Sequence, residues 1–431
     1  MRKLLSLAAV AALVCAARLS SVQAQEEPSV RIARLVHQLG SDSFSERKQA
    51  DEELAKFGVE SRRELELAAQ SPNAEVRLRA ADLLRRQKLK DLWLPGHVQI
   101  HVKQEPAENV LNAFMEQTGN HLLRGDSYGT FHEAKVDLDL AQGNFWPALD
   151  ELCRQSENHV RPHFDAREPG LVMISGAMGK NPVAYAGPLR AQIASARKVY
   201  IEELDYDEQK SDITHTFQMN LQMLWEDRFQ LVAYRSQPEI VEAVTDTKAT
   251  LLSAQSSGDS WNVAGGNMRQ LTSALRLSPP PAAAKKLDRL VLKWGLIAVG
   301  DLAAIDVNDL TSHEAHCQDD VELRVEELED RSNGRYELCV MISRELPIPD
   351  PQEILFQENR LELFDDKGRA LKQQGQSNVL TDRGARMRVT FAAENGEDKP
   401  KVLRLTYPRL RSEKDVEIVF RDVPLPCAKP D

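Results

Sequence analysis

Between residues 97 and 175 the spacing of apolar positions changes period twice, in the same order. Val98, Ile100 and Val102 alternate with polar residues, as a half-buried strand requires. Ala107, Val110, Leu111, Phe114 and Met115 then form an i, i+3, i+4, i+7, i+8 stripe, which predicts an amphipathic helix. Thirty-eight residues on, Val136, Leu138 and Leu140 repeat the strand. Phe145, Ala148, Leu149, Leu152 and Cys153 repeat the helix at the same offset, and Leu171–Ser175 reads as a closing strand. The pattern predicts a duplicated β-α-β unit of about 80 residues with the two stripes facing a common core. Cys153 then takes the place of Met115 as a small buried hydrophobe. His121 and His159 follow the helices at matching positions and are expected to cap the last carbonyls.

Residues 30 to 90 carry a helical period throughout. Ser43 and Glu46 are spaced as a capping box, and Gly58 is placed to end the helix that follows. Arg47, Ala50 and Leu54 recur as Arg77, Ala80 and Leu84, an offset of 30. This segment resembles a short array of HEAT-like repeats, in which small residues let helices approach closely. Arg77, Arg79, Arg85, Arg86, Lys88 and Lys90 make the last helix basic, but interspersed acids predict a solvated face rather than a nucleic-acid surface.

The ordered spacing of Val98-x-Ile100-x-Val102, Val110-Leu111-x-x-Phe114-Met115-x-x-x-Gly119, Val136-x-Leu138-x-Leu140, Ala148-Leu149-x-x-Leu152 and Leu171–Ser175 resembles the secretin and TonB short N-terminal (STN) domain. That resemblance covers about 80 of the 431 residues. It implies protein–protein docking in a bacterial envelope and no catalysis. No secretin-ring or β-barrel sequence follows here.

From Val183 onward short strands dominate. Thr214–Leu221, Arg228–Tyr234, Met268–Leu277 and Leu287–Val299 form one group, with a Pro-rich connector at 278–284. Val321–Leu328, Arg335–Ser343, Leu361–Phe364, Arg386–Phe391, Lys401–Tyr407 and Asp415–Phe420 form another. Turn signals lie at 332–334 and 365–368. Two β-sandwich domains are expected, at 183–310 and 311–431. The whole reads as a multidomain α+β chain: 1–24 a signal peptide, 25–94 the HEAT-like helical segment, 95–182 the STN-like module, then the two sandwiches.

The signal peptide rests on Arg2 and Lys3, the apolar stretch Leu4–Ala17 and the small-residue site Val22-Gln23-Ala24. It predicts export to the periplasm or beyond. Export permits disulfides, and Cys317 with Cys339 is the pair to test first. The net charge of −11 argues against nucleic acid as a partner, and no apolar run of spanning length follows the signal.

Few motifs suggest chemistry. Gly125-Asp126-Ser127-Tyr128-Gly129 matches the nucleophile-elbow pattern but lacks room for the helix that must follow it. The overlapping Arg124-Gly125-Asp126 is a plain loop tripeptide. His313, His316 and Cys317, near Glu314, Asp319 and Asp320, are metal-capable residues without a standard zinc spacing. His97 with His101, and His159 with His163, read as strand pairs. No catalytic, cofactor-binding or metal residue is therefore assigned, and no cofactor is expected. The sequence predicts a non-catalytic exported scaffold that binds another envelope protein, with its oligomeric state open. The alternatives are an envelope sensor, a hydrolase using Ser127 with His132 or His159, and a metal-dependent role for the loop at His313.

Overall fold

The computed structural model describes residues 27–125, 131–163, 170–207, 210–253, 260–264, 268–331, 333–344, 360–381, 384–393 and 399–426. Residues 1–26, which include the expected signal peptide, lie outside them, as do Ser127 and Cys427. The described residues form a β-rich, multidomain α+β fold with five sheets, and they divide into two compact units, one ending at Asp91 and one beginning at Leu92.

The first unit holds helices α1 (Pro28–Gln38), α2 (Phe44–Phe57), α3 (Arg62–Ala68) and α4 (Ala74–Asp91). Its core is Ile32, Leu35, Leu39, Ala50, Leu54, Leu65, Ala68, Ala80 and Leu83. The 30-residue repeat reaches the hydrogen bonds. Arg47 Nη1 donates to the Ser41 carbonyl at 2.7 Å, and Arg77 Nη1 donates to the Ser71 carbonyl at 2.8 Å. Ser41 and Ser71 hydroxyls accept from the amides of Ser43 and Asn73, the residues that cap α2 and α4. The capping box is only half formed, because the Glu46 carboxylate accepts from the Ser41 hydroxyl at 2.5 Å instead of from the Ser43 amide. Two of the basic residues of α4 are held by carboxylates. Arg79 pairs with Glu75 at 2.7 Å, and Arg86 pairs with Asp51 at 2.6 Å and Asp82 at 2.9 Å.

The second unit begins with the duplicated segment. Strand β1 (His97–Pro106), helix α5 (Ala107–Thr118) and strand β2 (Leu122–Arg124) are followed by β3 (Lys135–Asn144), α6 (Phe145–Ser156), β4 (Asn158–His163) and β5 (Gly170–Ser175). β1 pairs antiparallel with β3, and β5 lies between a parallel β2 and an antiparallel β4. Both apolar stripes turn inward: Val110, Leu111, Phe114, Leu149, Leu152 and Cys153 are buried, and Met115 packs partly buried against them. The helices end in matching left-handed residues, Gly119 (φ 68°) and Glu157 (φ 54°), whose amides return to the Met115 and Cys153 carbonyls. The caps are thus made by backbone and not by imidazoles. His121 is exposed, and His159 Nδ1 lies 3.1 Å from the Gly176 carbonyl.

The remaining strands are β6 (Val183–Ala186), β7 (Leu189–Asp205), β8 (Lys210–Trp225), β9 (Gln230–Arg235), β10 (Glu239–Thr245), β11 (Trp261–Val263), β12 (Gln270–Leu277), β13 (Lys286–Val307), β14 (Ala315–Gln318), β15 (Val321–Asp330), β16 (Arg335–Arg344), β17 (Arg360–Asp365), β18 (Lys372–Thr381), β19 (Gly384–Ala392) and β20 (Pro400–Pro424). One sheet runs β12-β8-β7-β6, another β14-β15-β16-β19-β18. Between them lies a six-stranded sheet, β11-β9-β13-β20-β17 with β10 added on β13. Its long strands β13 and β20 pair from Lys286–Pro424 to Val307–Leu403 and so belong to two cores. Leu287–Ala298 with Val416–Val423 pack against β7, β8 and β12. Ile305, Val307, Leu403, Leu405 and Tyr407 pack against β15, β16 and β19.

This differs from a division at residue 310. Residues 416–425 return to the first two-layer core, and Lys401–Tyr407 and Asp415–Phe420 are one continuous strand. The polar stretch between them, Ser412-Glu413-Lys414, reads as a break in sequence but stays paired to Ala298, Ile297 and Leu296. The turn signals are sound: Asn333 and Gly334 both have positive φ, and Gly368 closes the turn after β17 at φ 75°.

Cys317 and Cys339 are free thiols. Cys317 faces Glu322 of β15, and Cys339 faces Glu327, five positions further along that strand. At ~3.3 Å per residue they are about 16 Å apart in that direction, far beyond disulfide reach.

Candidate functional site

Two features of the second unit bear on function. One anchors the duplicated segment, and the other leaves the body.

The anchors are two buried polar networks. The Glu226 carboxylate is fully buried. It accepts from the Gly96 amide at 2.8 and 3.0 Å, from Asn120 Nδ2 at 3.0 Å and from Arg228 Nε at 2.7 Å. Arg228 also donates to the Leu94 carbonyl, and its amide to Asn120 Oδ1 at 3.2 Å. Burying a charge is tolerable only with such full pairing. Gly96 is required by the close approach, since a Cβ there would lie 2.8 Å from Glu226 Oε2. On the other helix, Asp150 accepts from Arg190 Nε at 2.9 and 3.0 Å and from the Tyr185 hydroxyl at 2.6 Å. Burial first, then the Asp150 carboxylate, push the Tyr185 hydroxyl well above the usual phenol range. Trp146 Nε1 donates to the Pro188 carbonyl at 2.9 Å, and Leu224 of β8 completes the core of the duplicated segment. That segment is therefore fastened to the strands that follow it.

The arm is the distal half of the β7–β8 hairpin. β6 covers β7 only over Leu189–Gln192, and β12 covers β8 only over Phe217–Leu224. From Val199–Thr216 to Asp205–Lys210, seven consecutive pairs, the two strands pair only with each other in their sheet. At ~3.3 Å per residue this is about 23 Å of two-stranded ribbon. Tyr200, Leu204 and Tyr206 are 59%, 50% and 84% exposed. Tyr200 meets His215 edge to face at 5.0 Å, a brace across the ribbon. By sequence, residues 202–212 carry six acids (Glu202, Glu203, Asp205, Asp207, Glu208, Asp212) against Lys210 alone. Apolar rings on an acidic two-stranded ribbon suit a partner surface that is basic at its rim and apolar at its centre.

The structure does not draw the motif residues into one site. Ser127 lies outside the described residues. His132 pairs with Glu108, which also holds Arg124 at 2.9 Å. His313 Nδ1 lies 3.2 Å from the Val325 carbonyl, while His316 sits on β14 opposite Leu323. Asp319 is held by the Tyr407 hydroxyl at 2.7 Å and Arg409 Nε at 2.9 Å, and Asp320 by Arg344 at 2.8 Å. Among the described residues no group of three His, Cys, Asp or Glu side chains could hold a metal ion, and no helix is long and apolar enough to cross a membrane.

No family model matches the chain, and no curated protein or solved structure matches it. The arm and the anchors therefore carry the functional reading by themselves. The pattern in the sequence passed over the arm. A signal was present: Val199, Tyr200, Ile201 and Ile213, Thr214, Thr216 are good strand formers on either side of the polar stretch Asp207–Gln209.

Proposed function

We propose that this chain is a non-catalytic, exported scaffold of the bacterial envelope that binds another protein, and that the β7–β8 arm is its docking element for a partner with a basic surface. The parts would be a HEAT-like helical segment, an STN-like module and two β-sandwiches sharing the strands β13 and β20. The arm carries the reading. A two-stranded ribbon is marginal by itself in water, and one that displays Tyr200, Leu204 and Tyr206 gains most of its burial on a partner. The buried Glu226 and Asp150 networks support a fixed platform behind the arm rather than a loosely hung sensor module. A partner recovered from envelope extract is expected to be basic where the arm docks and to be released by salt. The Tyr200→Ser/Tyr206→Ser variant is expected to lose it while keeping the wild-type circular dichroism spectrum. Equal recovery by the variant would remove the arm from the proposal.

A further inference from the structure

Sheet edges in this molecule are mostly short or blocked. β2, β6, β11 and β14 are three or four residues long. The long strands β1 and β3 are blocked by side chains that imitate a neighbouring strand. Gln117 accepts from the Gln99 amide at 2.7 Å and donates to its carbonyl at 3.1 Å, and Gln155 does the same at Asp137, at 2.9 Å each. Such devices keep an open edge from pairing with another chain.

Among the described residues β18 has no such side-chain block, and its one irregularity, a register shift between Gln373 and Gly375, leaves Gly375–Thr381 in regular pairing with β19. It runs ten residues, Lys372–Thr381, pairs along its length with β19, and is the last strand of its sheet. Side chains from Lys372 to Val379 are exposed on both faces, and Val379 is 63% exposed. No charge occurs between Gln373 and Thr381. In a chain of net charge −11, that neutral strip is where two copies can approach with least repulsion. Its amides already form a ladder, Gln373 to Gln376 at 3.0 Å and Gln376 to Asn378 at 3.1 Å.

We propose that β18 pairs antiparallel with β18 of a second copy, making one continuous sheet across a two-fold axis near Ser377, the midpoint of the neutral strip. In that register Gln376 faces Asn378, amide against amide, and Val379 covers Gly375, which has no side chain. Backbone pairing supplies the affinity and the amides fix the register.

The test uses the purified full chain alone, which separates it from the arm. Sedimentation over a range of concentrations should show a monomer–dimer equilibrium. In a Cys317→Ser/Cys427→Ser background, Ser377→Cys should form a disulfide dimer under mild oxidation, and Lys248→Cys should not. Gln376→Lys/Val379→Lys places like charges across the axis and should give a monomer with an unchanged circular dichroism spectrum, whose melting temperature no longer rises with protein concentration as that of the dimer does. A wild type that stays monomeric overturns the proposal, as does a dimer indifferent to the two lysines. A monomer that instead captures a foreign extended peptide on β18 also overturns it.

Discussion

His101 and Asp139 hold equivalent positions in the two halves of the duplicated segment, 38 residues apart, and they also pair with each other across β1 and β3, with His101 Nδ1 2.5 Å from Asp139 Oδ1. The local two-fold of the duplication therefore passes between them. That symmetry explains why one half repeats the contacts of the other down to single side chains. Thr118 and Ser156 donate to the carbonyls four residues back, at 2.7 and 2.8 Å, as Gln117 and Gln155 each close a strand edge.

The edge-closing glutamines make a prediction at single-amide resolution. Gln117→Ala removes two hydrogen bonds at Gln99, each worth about 1 kcal/mol. Hydrogen exchange at the Gln99 amide should quicken strongly, with the Asp137 amide still protected. Gln155→Ala should give the mirror result. Equal quickening at both amides in either variant would contradict the local role.

Removing the Glu226 carboxylate strands the buried Gly96 amide, at about 1–3 kcal/mol for such a group, and takes the counterion from Arg228, which is 28% exposed. Glu226→Ala should therefore lower the denaturant midpoint of the second unit steeply, and Glu226→Gln less. Tryptophan fluorescence follows it, since Trp93, Trp146, Trp225 and Trp294 are all buried in that unit. A midpoint unchanged by Glu226→Ala would show that the carboxylate does not anchor the duplicated segment.

Thiol reactivity should sort by burial. Burial, and then the Asp150 carboxylate, push the Cys153 thiol up to about 12. Burial and the Glu326 carboxylate raise that of Cys339 as well. Cys317 is exposed. Since the thiolate is the reacting species, peptide mapping after brief alkylation of native protein should find Cys317 modified and Cys153 intact until unfolding.

Acid should weaken the second two-layer core. The Arg404 guanidinium grips Asp306 at 2.7 and 2.8 Å and holds its carboxyl below the usual range, as Arg386 does for Glu326. Carboxyls lowered in the folded state stabilise it above their unfolded pKa, and that contribution is lost as pH falls through the folded values. The melting temperature should be flat near neutrality and decline below about pH 4, the ordinary carboxylate range. Asp306→Asn should make the decline shallower. Asp306 is 40% exposed, so its share is small.

How much of this was legible in the chain depended on whether a signal was local. The duplicated segment was legible, because each strand and helix buries one face and so writes its period into the sequence. The 30-residue repeat was legible for the same reason, and Arg47 and Arg77 carried it through to identical carbonyl contacts. The arm was missed because its outward residues satisfy no core pattern. Strand β20 was split because Ser412–Lys414 is polar, although its backbone pairing with β13 continues. The Glu226 network left no trace, since Gly96, Asn120 and Glu226 are joined only by the fold.

The most direct test of the docking account is a photo-crosslinking amino acid at position 206 of the full chain, irradiated in envelope extract, with position 248 as an exposed control. The account predicts one dominant adduct at 206, absent at 248, that fades with added salt and belongs to a protein with a basic contact surface. No adduct at 206, or the same adducts at both positions, would contradict it.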